Sequence, residues 1–393
     1  MSVLTEPWGA RVRCPWRDDD DARRALVRLA ETASGSADPN AQSELTSAID
    51  RSQLAAWLRR HDFAALGFAS ALPTDPEFAA MLREAALGAA AGNLAHFATL
   101  DRIERRFEAE RIPMVLLKGA AVAASAYRDR SFRPMSDLDI WVQDADMPRA
   151  VESLRALSFR QAPNLPDRPS ALQRRSSGEL VFGPARGGHG LVELHYGAFP
   201  GWWIQRVAHP DTEGLWRRAE PMGPGRHAHR LAAEDAVLQT AFHVAVNQFG
   251  QAPLRGMMDL AVLARSRALD WDAVASRARA WRLKTATWLV LDTANRMIGL
   301  PGCDAAVSQL RPARARRAAL RAFVTPRGLR SGRDFTRKTL RHLFMLGLVD
   351  RPRDGARLLG RTLWPETWWI AARYGRPVGR IGHLWGLVRR GEV

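Results

Sequence analysis

Cysteine is scarce in this sequence, and long apolar runs are missing from it. The two cysteines among 393 residues, Cys14 and Cys303, lie far apart and lack the spacing of metal-binding pairs. This argues against a disulfide framework or a cysteine-based zinc site and predicts a reducing compartment. No apolar run reaches the roughly 18 residues that a transmembrane helix needs, and no apolar signal segment stands near the first residue. We therefore expect a cytoplasmic protein.

Lysine is also rare, since only three of the 58 basic residues are lysines and the rest are arginines. The formal net charge of +17 is typical of a protein with an anionic partner such as a nucleic acid. An arginine-rich and alanine-rich composition is also typical of a GC-rich coding sequence, so the charge has two interpretations. The rarity of lysine draws attention to Lys118, because a compact, flexible ammonium is used there.

The apolar periodicity divides the chain into three parts. Residues 1–95, with a loose leader over 1–20, are predicted to be an N-terminal helical region, 96–200 an α/β core, and 201–393 a C-terminal helical domain. Within the core, "IPMVLLKG", "DLDIWVQ", "GELVFGP" and "HGLVELHYGAF" are predicted strands, and the last two are expected to pair. We therefore predict the α+β class: a small mixed sheet with helices, flanked by helical regions on both sides.

The stretch "PMSDLDIWV" (Pro134–Val142) places two carboxylates on a strand that is otherwise apolar. Asp137 and Asp139 are two residues apart, so they point to the same side, with Cα atoms about 7 Å apart. Like charges at that distance repel, and solvent, an arginine or a metal ion must compensate them. A few carboxylates together with substrate phosphates can hold Mg²⁺. The alternative is a solvated strand end at which Asp137 pairs with Arg133.

Two further features point to the same chemistry. Lys118-Gly119 joins a strand to a helix, where glycine lets the backbone approach an anion and helix N–H groups can bind phosphate. In "LVELHYG", Glu193 and His195 face away from the apolar side chains, so Glu193 can join the aspartates from a neighbouring strand. The alternatives are an ordinary turn at Gly119 and an exposed edge-strand face at Glu193.

Together these segments resemble the nucleotidyltransferase superfamily of the DNA polymerase β type. Within it, they are most similar to uncharacterised bacterial nucleotidyltransferases with a Leu-Lys-Gly motif. The matching segments are "IPMVLLKGAAVAASAYRDRSFRPMSDLDIWV", "GLVELHYG", "HVAVNQFGQAPLRGMMDLAVLA" and "LWPETWWIAARYG". The resemblance implies that the sheet with its helices is a small polymerase β-like nucleotidyltransferase core.

The resemblance also implies roles for individual residues. Asp137, Asp139 and Glu193 would be the catalytic carboxylates and would hold two Mg²⁺ ions. Lys118 is expected to be an exposed cation that contacts phosphate and contributes little to folding. The candidates for binding the phosphates of an NTP such as ATP are Lys118, Gly119, Arg133 and Ser136.

The implied activity is Mg²⁺-dependent transfer of a nucleoside monophosphate from an NTP to an acceptor, with pyrophosphate as the leaving group. A small molecule or peptide is the expected acceptor. The net charge motivates an alternative, transfer to an RNA such as tRNA in the manner of toxin-type nucleotidyltransferases. A third hypothesis is a catalytically silent basic binding protein on the same fold, because the superfamily usually has Gly-Ser where this sequence has Lys118-Gly119.

Residues outside these motifs allow weaker inferences. The histidines of the middle third show no cysteine or carboxylate at ligand spacing, which argues against zinc, and His243 is predicted to be a hydrogen-bonded core residue. Arg255 and Asp259 have helix salt-bridge spacing and are predicted to pair with each other or to line the acceptor pocket. The tryptophans of "LWPETWWIAARYGRPVGRIGHLWGLVRR" are predicted to pack the last helices onto the core, with the arginines solvated. The alternatives are peripheral contact with a membrane or a nucleic-acid surface.

Overall fold

The structure is a computed structural model, and it describes the chain in segments. The described residues are 14–16, 18–37, 49–162, 164–165, 168–169, 172–173, 178–185, 190–201, 203–249, 253–331 and 338–390. Most of the predicted leader, residues 1–13 and 17, lies outside them.

The N-terminal part is helical, as predicted. Its helices are Asp19–Ser34, Arg51–Arg60, Ala64–Ala71 and Pro76–Ala109. Asp18 accepts a hydrogen bond from the Asp21 amide at the start of the first helix, where an acidic first turn suits the positive end of the helix dipole. Asp75 caps the last helix in the same way, and Pro76 takes the first helical position, where no amide hydrogen is needed.

A seven-stranded mixed sheet lies at the centre of the described structure, in the order β3-β6-β7-β2-β1-β9-β8. This confirms the predicted α+β class. The strands of both sheets are β1 (Val115–Leu116), β2 (Asp137–Trp141), β3 (Phe159–Gln161), β4 (Asn164–Leu165), β5 (Arg168–Pro169), β6 (Glu179–Pro184), β7 (Leu191–His195), β8 (Glu220–Pro221) and β9 (His229–Arg230). Strands β4 and β5 form a separate two-stranded sheet.

The pairing of β2 with its neighbours determines where the polar side chains meet. Strand β2 runs antiparallel to β1 and parallel to β7, and its register places Asp139 opposite Glu193 and Trp141 opposite His195. Strand β6 pairs antiparallel with β7, as predicted, and places Glu179 opposite His195. Side chains alternate across a strand, so these registered residues lie on one face of three adjacent strands.

Helices connect and flank the strands. Those near β2 are Lys118–Ser125 and Met147–Ala156, with a short 3₁₀ turn at Arg130–Phe132. The later helices are Ile204–Val207, Thr212–Arg218, Ala233–His243, Pro253–Ser266, Trp271–Ala280, Lys284–Ile298, Asp304–Gln309, Arg314–Phe323, Pro326–Arg330, Lys338–Gly347, Pro352–Leu363, Thr367–Tyr374 and Arg380–Arg390, with a π-helical turn at Val244–Gln248. None of the helices in the described ranges combines the length and the apolarity that a bilayer crossing requires.

The apolar side chains form two buried clusters that share one long helix. The beginning of Pro76–Ala109 packs with the other helices through Phe78 and Leu82. Its second half packs against the sheet through Phe97, Leu100 and Phe107. The predicted boundary at residues 95 and 96 falls inside this helix, and β8 and β9 extend the sheet into the predicted C-terminal domain.

The tryptophans of the C-terminal segment do not follow the predicted core packing. Trp364, Trp368 and Trp385 are 52%, 36% and 61% exposed, whereas Ile370 between them is buried. The prediction is therefore wrong for these three side chains, which the last helices present to solvent.

Candidate functional site

Two carboxylates and an imidazole converge on the face where β2 and β7 pair. Asp139, Glu193 and His195 each offer one ligand atom, and these atoms lie within 4.8 Å of one another. All three side chains are buried, with at most 7% of their surface exposed. The parallel register explains the convergence, because Glu193 lies opposite Asp139 and His195 lies two residues further along the same face. The expected approach of Glu193 to Asp139 is thus found.

His195 connects this group to a further carboxylate. Its Nε2 atom lies 2.8 Å from Asp139 Oδ1 and 3.7 Å from Glu193 Oε2, while its Nδ1 atom lies 3.4 Å from Glu179 Oε2. The sequence-based statement that the histidines lack carboxylate partners is therefore wrong for His195. The i, i+2 spacing of Glu193 and His195 was the available signal, but the proximity of Glu179 depends on the β6–β7 register.

Lys118 is a buried partner of Asp139. Its Nζ atom donates a hydrogen bond to Asp139 Oδ1 over 2.6 Å, and only 15% of its side chain is exposed. Burial alone would lower the pKa of Lys118, but the carboxylates of Asp139, Glu193 and Glu179 outweigh it and raise the pKa above its ordinary value. The expectation of an exposed cation is therefore wrong, since this ammonium compensates the buried carboxylates.

The backbone of Lys118 also has an unusual conformation. Lys118 has a φ of +47°, in the left-handed region that residues with a side chain seldom occupy. Its amide donates a hydrogen bond to Gln239 Oε1 over 3.2 Å. A strained conformation persists only where the surroundings hold it, and such residues are concentrated at functional sites.

Asp137 lies beside the three-residue group and not within it. Its carboxyl is partly buried, and burial followed by the charge of Asp139 raises its pKa, while Lys118, Arg255 and a hydrogen bond involving Ser136 oppose the shift. This upward shift has the direction that repulsion between two same-face aspartates predicts. Lys118 relieves this repulsion through Asp139.

The predicted alternative, a pair between Asp137 and Arg133, is wrong, because Arg133 binds a different carboxylate. It donates to both carboxylate oxygens of Asp259, from Nε over 2.9 and 3.1 Å and from Nη2 over 2.8 Å, and Tyr127 donates to the same carboxylate over 2.8 Å. The predicted Arg255–Asp259 pair is also wrong, because Arg255 donates instead to Asp62 Oδ2 over 3.0 Å. Arg133 and Asp259 therefore form a buried bidentate pair.

The arginine pair explains why residue 119 is glycine. A Cβ atom at Gly119 would lie 3.1 Å from both Nη1 and Nη2 of Arg133. The guanidinium is fixed by Asp259 and cannot move aside easily. Gly119 thus lets the Lys118-Gly119 turn lie directly on Arg133.

The donor set fits a divalent cation. Two buried carboxylates and one imidazole nitrogen within a few ångströms can supply three ligands, and Asp137 lies next to them. Carboxylates suit Mg²⁺ and Mn²⁺, whereas an imidazole is a more usual ligand of iron, nickel, copper and zinc. The group therefore differs from the all-carboxylate set implied by the resemblance, because it includes His195 and not Asp137.

Comparison with known proteins agrees with this geometry. A family model described as an uncharacterised nucleotidyltransferase matches residues 44–299, a range that contains every residue of the site. No match is found among the curated proteins.

Proposed function

The chain belongs to the uncharacterised nucleotidyltransferase family, and on that premise we propose that it moves a nucleoside monophosphate from an NTP to an acceptor hydroxyl with the help of a divalent cation. Mg²⁺ is the proposed cation. A small molecule or peptide is the proposed acceptor class, because Asp139 and Glu193 are at most 7% exposed and such burial favours a slender acceptor.

The observation that carries the proposal is the buried group of Asp139, Glu193 and His195 with Lys118 bound to it. Several buried acidic groups on one face repel one another and cost stability in the absence of counter-charge. An arrangement of this kind is typical of a site that takes up cations during its function. Lys118 supplies one positive charge to a cluster that also includes Glu179.

The residues of the site would have two separate roles, metal binding and phosphate binding. Asp139, Glu193 and His195 would hold the cation, which when bound stabilises the negative charge that develops during phosphoryl transfer. Lys118, placed by the strained turn between this group and Gln239, would bind a phosphate oxygen of the nucleotide through its ammonium. Burial excludes water, which strengthens each of these interactions.

Asp139→Asn tests the proposal. We expect loss of label transfer from NTPs labelled at the α-phosphate to any acceptor in a cell extract, and loss of the rise in melting temperature that Mg²⁺ or Mn²⁺ causes in the parent protein. The metal-free variant should be less stable by about 1–3 kcal/mol, because the neutral amide no longer compensates the ammonium of Lys118.

Asp144→Asn is the matched control, because Asp144 is an exposed aspartate shortly after β2. It should retain both transfer and the metal-induced shift. A parent protein whose melting temperature and NTP binding are indifferent to divalent cations would refute the proposal.

A further inference from the structure

A second cluster of polar side chains lies next to the Lys118-Gly119 turn, on two helices that follow the sheet in sequence. One residue on each helix makes a polar contact that positions the turn. Gln239, on Ala233–His243, accepts the Lys118 amide hydrogen, and Asp259, on Pro253–Ser266, holds Arg133 under Gly119. Residues four apart share a helix face, so His243 and Arg255 stand one turn away from these contacts.

Arg255 is a partly buried cation with weak compensation, since 23% of its side chain is exposed. Its Nη1 atom donates to Asp62 Oδ2, but the Asp62 side chain is 36% exposed and shares its charge with solvent. Its Nε atom is buried and has no hydrogen-bond partner among the described residues. Burial and the neighbouring charge of Arg133 lower the pKa of Arg255 despite the nearby carboxylates of Asp62, Asp259 and Asp137. Such a guanidinium gains stability from an added anion.

His243 offers a hydrogen-bond donor beside this guanidinium. The amide nitrogen of Asn247 lies 3.2 Å from His243 Nδ1 and can only donate, so Nδ1 accepts. Burial, followed by the charges of Lys118, Arg255 and Arg133, lowers the pKa of His243 well below 6.5, so the imidazole is neutral at physiological pH. The neutral ring therefore carries its proton on Nε2. Asn247 belongs to the π-helical turn Val244–Gln248, a distortion that often accompanies functional sites.

We propose that Arg255 and His243 form an anion subsite that binds the polyphosphate of the nucleotide donor. This inference rests on the proposed function. The subsite offers guanidinium and imidazole donors, and the charges of Lys118 and Arg255 both act on His243, so it fits a ligand with several linked negative charges. A polyphosphate has this chemistry.

Titration calorimetry with Mg²⁺ and inorganic tripolyphosphate, repeated with each of the four ribonucleoside triphosphates, tests the subsite in the full-length protein. Arg255→Gln should weaken binding of tripolyphosphate and of the preferred NTP about tenfold or more, as expected for a lost charge-assisted hydrogen bond. His243→Ala should weaken both by a smaller factor. Arg265→Gln, on the same helix but bound to the Ala261, Ile298 and Gly299 carbonyls, should leave both affinities unchanged.

Asp62→Asn separates ligand binding from folding, because it removes the same ion pair but keeps the guanidinium. We expect this variant to bind tripolyphosphate as tightly as the parent or more tightly, since Arg255 is released from a competing carboxylate. If Asp62→Asn weakens binding as much as Arg255→Gln does, Arg255 acts through the ion pair and the subsite is refuted.

The two proposals fail in different ways. A parent protein that binds NTP with Mg²⁺ while Arg255→Gln binds equally well refutes the subsite alone. A parent protein that binds neither NTP nor tripolyphosphate refutes the proposed function and the subsite together. Binding of tripolyphosphate without any NTP would identify the ligand as free polyphosphate and would overturn the assignment to a nucleotide donor.

Discussion

At the scale of single residues, Lys118 is the counter-ion on which the site depends. Its ammonium contacts Asp139, and its charge acts on Glu193 and Glu179 as well. A divalent cation bound by Asp139 would compete with this ammonium for the same carboxylate. Lys118 therefore stabilises the metal-free protein and at the same time limits its affinity for metal.

Lys118→Met removes the charge and keeps most of the apolar volume. The metal-free variant should be less stable by about 2–4 kcal/mol, because buried carboxylates lose their partner. The rise in melting temperature caused by Mg²⁺ should be larger than in the parent, because nothing competes with the ion. Calorimetric melting with and without Mg²⁺ measures both effects.

Lys284→Met is the control, since Lys284 contacts Asp350 through its backbone amide. An unchanged metal-free stability together with an unchanged Mg²⁺ response in Lys118→Met would show that Lys118 is not the counter-ion.

Because His61 is buried, we expect the free energy of unfolding to depend on pH. This effect has no connection with the candidate functional site. The His61 ring lies among Trp57 and Phe63 and contacts the Arg330 carbonyl, and burial lowers its pKa to about 4. Because the folded pKa lies below the unfolded value of 6.5, the stabilising contribution is full above pH 6.5. It is lost as the pH falls towards 4, by about 3 kcal/mol in total.

Urea unfolding at several pH values measures this loss. His61→Gln should show a shallower decrease between pH 7 and pH 4 than the parent, whereas His209→Gln, at an exposed position, should follow the parent. Parallel curves for His61→Gln and the parent would contradict the assignment.

The residues of the site were only partly predictable from sequence. Side-chain alternation predicts which face of its strand each of Asp139 and Glu193 occupies, whereas their approach also requires the parallel pairing of β2 with β7. The contacts of His195 with Glu179 and of Arg133 with Asp259 depend on strand register and helix packing between residues distant in sequence. A local pattern does not contain that information, and the nearest opposite charge in sequence proved a poor guide to the partner of Arg133.

At the scale of elements, close packing at the junction between β1 and the helix Lys118–Ser125 leaves no room for a side chain at residue 119. In the exposed middle of a helix, glycine to alanine is expected to stabilise by about 0.5–1 kcal/mol. At Gly119 the added Cβ would meet the fixed guanidinium of Arg133, and overpacking of this kind costs about 1–3 kcal/mol. Gly119→Ala should therefore lower the free energy of unfolding.

Gly88→Ala is the matched variant. Gly88 is exposed in the helix Pro76–Ala109, and a Cβ there would have no heavy atom of the described structure within 4 Å. Denaturant unfolding of the two variants should show changes of opposite sign. Stabilisation by both would mean that Arg133 moves aside without cost.

Strands that the apolar pattern indicates were predictable, whereas β8 and β9 were not. The strands β1, β2, β6 and β7 agree with the sequence prediction. Strands β8 and β9 have two residues each, too few for any periodicity, and exist because β9 pairs with β1. Their formation depends on tertiary packing and not on local preference.

At the scale of the whole molecule, distant parts of the chain are joined by buried contacts. The Trp57 indole donates to the Arg330 carbonyl over 2.7 Å, and Arg330 also pairs with Asp19. Strand β9 completes the sheet from beyond residue 200. We therefore expect a fragment of residues 96–200 to lack stable tertiary structure, although it contains every carboxylate of the metal-binding group.

Near-ultraviolet circular dichroism and amide hydrogen exchange of that fragment test this expectation. A fragment with the exchange protection of the intact protein at Ile140 and Leu194 would show that the sheet folds without the C-terminal helices.

The Arg133–Asp259 pair also has a consequence for the order of events during synthesis. Asp259 follows Arg133 by 126 residues, which a ribosome adding about 5–20 residues per second needs roughly 6–25 s to translate. Late in that interval the nascent chain contains β1, β2 and β7 but not yet the carboxylate that fixes the guanidinium beneath Gly119. The turn that carries Lys118 therefore matures late, after the helix Pro253–Ser266 has left the ribosome, and a transcript truncated before that helix yields a chain with no completed site.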